Sequence, residues 1–79
     1  MDEKTKEAIN DIKVKHNGLV AWNDTRLRFD FKYKCASIIV HTDGNMIYMK
    51  NGKEIDFLIE DELYSKIDLV RNAWLKRKI

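Results

Sequence analysis

Arg26-Leu27-Arg28-Phe29-Asp30-Phe31-Lys32-Tyr33-Lys34 alternates charged and apolar side chains over its whole length. A period of two puts Leu27, Phe29, Phe31 and Tyr33 on one side of an extended chain and the charges on the other. That is the pattern of a strand with one face on a core and one in water. Downstream, Ser37 to Thr42 and Asn45 to Lys50 flank Asp43-Gly44, and Asn51-Gly52 then leads into Lys53 to Ile59. Both dipeptides tolerate the positive backbone angles of two-residue hairpin turns, so these stretches read as an antiparallel meander.

Outward from the meander, the spacing of Ala8, Ile9 and Ile12 after Asp2 and Glu3 predicts a helix over about residues 3 to 15. Lys13, Lys15 and His16 lie near its end and Asn17-Gly18 stops it. The competing reading makes Asn17-Gly18 a hairpin turn between Val14-Lys15-His16 and Leu19-Val20-Ala21-Trp22. Leu19 to Trp22 is in either case a short strand, cut off by Asn23-Asp24-Thr25. The last segment, about residues 60 to 77, opens on Glu60, Asp61 and Glu62 and closes on Arg71, Lys76, Arg77 and Lys78, which suits the helix dipole at both ends. Leu63, Ile67, Val70 and Trp74 form its apolar stripe, widened by Tyr64 and Leu75. The expected fold is therefore a single α+β domain over 1–79: an N-terminal helix, an antiparallel β-meander of three to four strands, and a C-terminal helix packed on the sheet. Its stripe should meet Phe29, Phe31 or the set Ile39, Tyr48 and Phe57.

If both turns hold two residues, Ile39, His41, Met46, Tyr48, Ile55 and Phe57 share one face, and Ile38, Val40, Ile47, Met49 and Leu58 share the other. A bulge would reverse that parity. A second apolar face of this kind calls for a helix on each side of the sheet or for a second molecule, and a homodimer is the expectation.

Composition limits what the chain can do. Its 79 residues are 44% hydrophobic and 35% charged, enough for one core. A domain of this size buries only about 60% of its unfolded surface, so little apolar material is left for an elaborate catalytic pocket. Fifteen Lys and Arg against 13 Asp and Glu give +2, well short of a dedicated nucleic-acid domain. The charge is uneven: residues 26 to 53 carry six basic and two acidic groups, between two near-neutral ends. One cysteine, Cys35, excludes an internal disulfide, and together with His16 and His41 falls short of a four-ligand zinc set. A reducing, cytoplasmic setting is the expectation, with no membrane partner, since no apolar run approaches the length of a span.

Catalytic and cofactor signals are nearly empty. Cys35 has no nucleophile signature around it and reads as a small packed residue at a strand end. The acids Glu54, Asp56, Glu60, Asp61, Glu62 and Asp68 lack the calcium-loop pattern, and helix-start carboxylates need no function to explain them. Phosphate-binding glycine loops, H-E-x-x-H and C-x-x-C are all missing. The chain is thus expected to have no enzymatic activity, cofactor or metal. What remains is a cationic strand: Arg26, Arg28, Lys32 and Lys34 project from one side, and Lys50 and Lys53 flank the Asn51-Gly52 turn. These six are the candidate partner-binding residues, though outward charges also protect strand edges.

The helix, three-strand, helix order resembles that of double-stranded-RNA-binding domains. Their second helix starts with lysines where Glu60, Asp61 and Glu62 stand here, so the phosphate-binding residues do not carry over. Eleven Lys, nine Ile and six Asn against three Gly and no Pro hint at a low-GC bacterial or phage genome. In being small, single-domain and motif-free, the chain also resembles phage-encoded inhibitors of host enzymes, anti-CRISPR proteins among them. That resemblance implies a protein that occludes the surface of a nucleic-acid-processing or defence enzyme. The alternative is a small nucleic-acid-binding module using the cationic strand.

Overall fold

The computed structural model describes residues 2–32, 35–55 and 59–77. Helix α1 (Glu3–His16) is followed by strands β1 (Gly18–Trp22), β2 (Arg26–Phe31), β3 (Ala36–His41), β4 (Met46–Lys50) and β5 (Lys53–Glu54), and then by helix α2 (Asp61–Leu75). The strands form one antiparallel sheet in the order β1-β2-β3-β4-β5, so every neighbour in space is a neighbour in sequence. The α+β architecture is the expected one. The sheet is a strand longer than the three to four anticipated, because β1 joins it and β5 adds a two-residue edge.

Helix α1 begins where Asp2 accepts the Thr5 N–H at 2.7 Å and ends where Asn17 turns left-handed at φ 52° with its N–H on the Ile12 carbonyl. Asparagine tolerates that conformation better than most residues, so Asn17-Gly18 closes a helix and the hairpin reading is excluded. Gly18 is required for a different reason. A Cβ there would lie 2.6 Å from Ile12 Cγ2 and 2.9 Å from Phe31 Cε1, so the missing side chain is what lets α1 lie against the sheet.

Both helices cover one face. Ala8 and Ile12 of α1 and Ile67, Val70 and Trp74 of α2 bury themselves against Leu27, Phe29, Phe31, Ile38 and Val40, with Leu63 and Tyr48 packed at the margin. Trp74 is 1% exposed, as its place on the stripe predicted. Its indole N–H reaches the Asn23 carbonyl at 2.9 Å. That carbonyl is free to accept because the Asn23 side-chain oxygen takes the Arg26 N–H instead, at 3.0 Å, along with the Thr25 N–H and hydroxyl. Arg77 stacks 4.6 Å from the centre of the Trp74 ring and donates to the Trp74 carbonyl at 2.8 Å. The helices run antiparallel, joined where Lys66 bridges Asp11 at 3.5 Å and Glu62 at 3.0 Å.

The expected register of β3 against β4 is shifted by one residue: Met46 and Tyr48 keep the core side of β4 as expected, but β3 is turned over. Asn51-Gly52 does form a two-residue turn, at φ 52° and 78°, pairing Lys50 with Lys53. The preceding loop, however, holds three residues, Thr42-Asp43-Gly44. The Gly44 N–H bonds to the His41 carbonyl, Gly44 adopts φ 90°, and the His41 N–H bonds to the Asn45 carbonyl. This is a turn followed by a glycine bulge, stabilised by the Asp43 carboxylate accepting the Asn45 N–H at 2.9 Å. The one-residue difference pairs Val40 with Met46 and Ile38 with Tyr48. Ile38 and Val40 are therefore fully buried, and Ile39 and His41 face away from the helices. The second apolar face containing Ile38 and Val40, on which self-association was expected, does not exist in that form. Phe57 and Leu58, assigned to faces above, lie outside the described residues.

Candidate functional site

Among the described residues nothing packs over the face of the sheet turned away from both helices, and its layout follows from the strand register. One row runs Leu19, Asp30, Ser37, Met49, Glu54; the next runs Ala21, Arg28, Ile39, Ile47; Arg26 and His41 complete it. None of these residues is buried. The centre is polar. The Arg28 Nε–H is shared between the two Asp30 carboxylate oxygens at 2.9 and 3.0 Å, and the Ser37 hydroxyl donates to the same carboxylate at 2.7 Å. Apolar side chains lie on either side of that network: Ile39, Ile47 and Met49 towards β4, Leu19 and Ala21 on β1.

The five candidate cations that the structure describes separate into two groups. Arg26 and Arg28 share the uncovered face, although Arg28 is engaged with Asp30. Lys50 and Lys53 fall on the helix side, in the row Gly18, Phe31, Ala36, Lys50, Lys53. Lys32 follows Phe31 at the same end of the sheet, where the Asn51 N–H also meets the Cys35 carbonyl at 3.2 Å. Lys32, Lys50 and Lys53 are exposed and form no ion pair among the described residues. Lys34, like Tyr33, lies outside the described residues. The continuous stripe read from alternation is thus a pair of arginines on one face and a lysine cluster at one end.

Of the remaining candidates, Asp56 lies outside the described residues. Cys35 is exposed and left-handed at φ 48°, not the packed small residue expected. Asp61 and Glu62 occupy the first turn of α2, and Asp68 pairs with Arg71. The hydrogen bond from Lys66 holds the Glu62 carboxyl below its ordinary range, and the same bond raises the Lys66 ammonium. A shallow groove between the start of α1 and the end of α2 is lined by Asp2, Thr5, Leu69, Asn72 and Lys76 and brings together no catalytic set. No group of three or more His, Cys, Asp or Glu side chains able to hold a metal comes together among the described residues. No helix among them is long and apolar enough to cross a membrane.

Sequence reasoning missed Ile39 as a surface residue because the β3–β4 register was read one residue off, and it missed Leu19 because it assigned the first strand to no face. It also missed that Asp30 restrains Arg28, although residues two apart on a strand share a face and that signal was available. Comparison with known protein families, curated proteins and solved structures gave no match.

Proposed function

We propose that this chain is a small, non-enzymatic binding domain that occludes the surface of a partner protein with its uncovered sheet face, in the manner of an inhibitor. The observation that carries the reading is the concentration of Leu19, Ala21, Ile39, Ile47 and Met49 around an ordered Arg28-Asp30-Ser37 network, on a face no helix covers. Apolar side chains beside satisfied polar groups make the kind of patch that protein interfaces use. Arg26 at its border fits a partner carboxylate. A defence or nucleic-acid-processing enzyme from a phage host is the partner class that the chain's size and composition favour.

The lysine end supports a second reading, in which Lys32, Lys50 and Lys53 bind nucleic-acid phosphates. Two variants separate the readings. Ile47→Lys with Arg26→Glu alters the sheet face and leaves Arg28 to hold Asp30; Lys32→Glu with Lys50→Glu alters the lysine end. Partners are captured from host extract and identified, and binding to the purified partner and to short DNA and RNA duplexes is then measured against salt. The proposed function requires the first variant to weaken partner binding about tenfold or more while remaining folded. Loss of binding only in the second variant, to oligonucleotides and with a steep salt dependence, establishes the second reading instead.

A further inference from the structure

Strand β1 is the edge of the sheet: it has β2 on one side and, among the described residues, no strand on the other. The Lys32 N–H bonds to the Asn17 carbonyl and the Asn23 N–H to the Arg26 carbonyl, so the odd-numbered residues of this ladder face β2. Hydrogen-bonded pairs alternate along an antiparallel ladder, which leaves Gly18, Val20 and Trp22 with N–H and C=O groups directed outward. Edge strands are ordinarily blocked by a charge, a proline or a bulge, and Gly-Leu-Val-Ala-Trp has none of these. At the opposite edge β5 is only two residues long and both are charged, which blunts that strand for pairing. Three of the four exposed large apolar side chains among the described residues lie here: Leu19 (47%) and Trp22 (39%) on β1, and Val14 (68%) in the last turn of the helix leading into it; the fourth, Tyr64, is on α2.

We infer that β1 pairs antiparallel with β1 of a second copy about a two-fold axis through Val20, joining two sheets into one. This goes beyond the proposed function and does not rest on it. The chain fits itself in that register. Val20 meets the second copy's Val20, Trp22 lies opposite Gly18, and Leu19 lies opposite Ala21. No charge within the strand meets its own image. Just beyond the strand, the axis brings Asp24 of each copy towards the basic last turn of α1, with Lys13, Lys15 and His16, in the other. The pairing uses the β1 edge of each copy, so assembly through this edge stops at two copies.

Sedimentation across low to high micromolar concentration, combined with amide exchange on the purified chain, tests this. The expected result is a monomer–dimer equilibrium in which the Val20 amide gains protection as the dimer forms, while Leu19 and Ala21 are protected throughout. Leu19→Lys, whose new cation faces Asp30 within its own copy, should weaken dimerisation about tenfold or more without unfolding the chain. Adding Ala21→Glu sets each introduced carboxylate opposite the other copy's introduced cation and should recover part of the loss. A monomer at high micromolar concentration overturns the inference. So does a dimer whose Val20 amide stays exposed, or one indifferent to Leu19→Lys.

Discussion

Replacing Trp74 separates what its ring contributes from what its N–H contributes. The ring is almost completely buried between α2 and the sheet, so Trp74→Ala removes a large core aromatic and should cost about 3–5 kcal/mol. A domain of this length is stable by roughly 4–12 kcal/mol in total, so that variant should be partly unfolded at ordinary temperature. Trp74→Phe keeps most of the apolar contact. It loses the hydrogen bond to the Asn23 carbonyl, worth about 1 kcal/mol, and weakens the stacking of Arg77, because a phenyl ring attracts a cation less than an indole does. A cost of about 1–2 kcal/mol, including a small addition for lost volume, is expected. Urea unfolding followed by circular dichroism reads both variants, and Trp22 remains as a fluorescent reporter in each. If Trp74→Ala costs under about 1 kcal/mol, the packing of α2 described above is wrong. If Trp74→Phe unfolds at the wild-type midpoint, the Asn23 contact contributes nothing.

Other substitutions test the remaining joints. Gly18→Ala drives a methyl into Ile12 and Phe31 and should cost about 1–3 kcal/mol, read from its urea midpoint. Ile38→Ala should cost about 2–5 kcal/mol and Ile39→Ala under about 1 kcal/mol; the reverse order would restore the two-residue turn at Asp43-Gly44. The hydroxyl and backbone N–H of Thr5 hold the Asp2 carboxyl below its ordinary value of 3.8. Its stabilising effect is therefore present above pH 3.8 and is lost as pH falls through the lowered value. Wild type should exceed Asp2→Ala in stability at pH 7, and the two unfolding curves should converge in acid; a gap that stays constant down to pH 2 contradicts the cap.

The elements were legible where one residue pattern had one structural outcome. Alternation over residues 26–31 has only the strand as its product, and Asn51-Gly52 has only the two-residue turn. Asp43-Gly44 was ambiguous because the same dipeptide serves a two-residue turn or the end of a three-residue loop with glycine left-handed. The Asp43 bond to the Asn45 N–H favours the latter, and a local hydrogen bond of that kind leaves no mark on hydrophobic periodicity. That single residue decided which isoleucines of β3 are core. It also decided the candidate surface, because Ile39 joined the arginines while Ile38 left it. Cys35 gave no warning of its left-handed backbone, a conformation usually announced by glycine or asparagine. The separation of Lys50 and Lys53 from Arg26 and Arg28 depends on pairing across three strands, which lies beyond the reach of any one segment's pattern.

The sequential order of the strands bears on how the chain folds. Each hairpin closes a loop of a few residues, so β1 to β5 can assemble by successive local steps with little entropy lost at any one of them. The docking of α2 is different in kind, since the contact of Trp74 with Asn23 spans 51 residues. The sheet is therefore expected to be largely formed in the transition state and α2 to dock after it. Ile38→Val should then slow folding, whereas Val70→Ala should chiefly accelerate unfolding; equal effects of the two on the folding arm of a chevron plot would show that helix and sheet condense together.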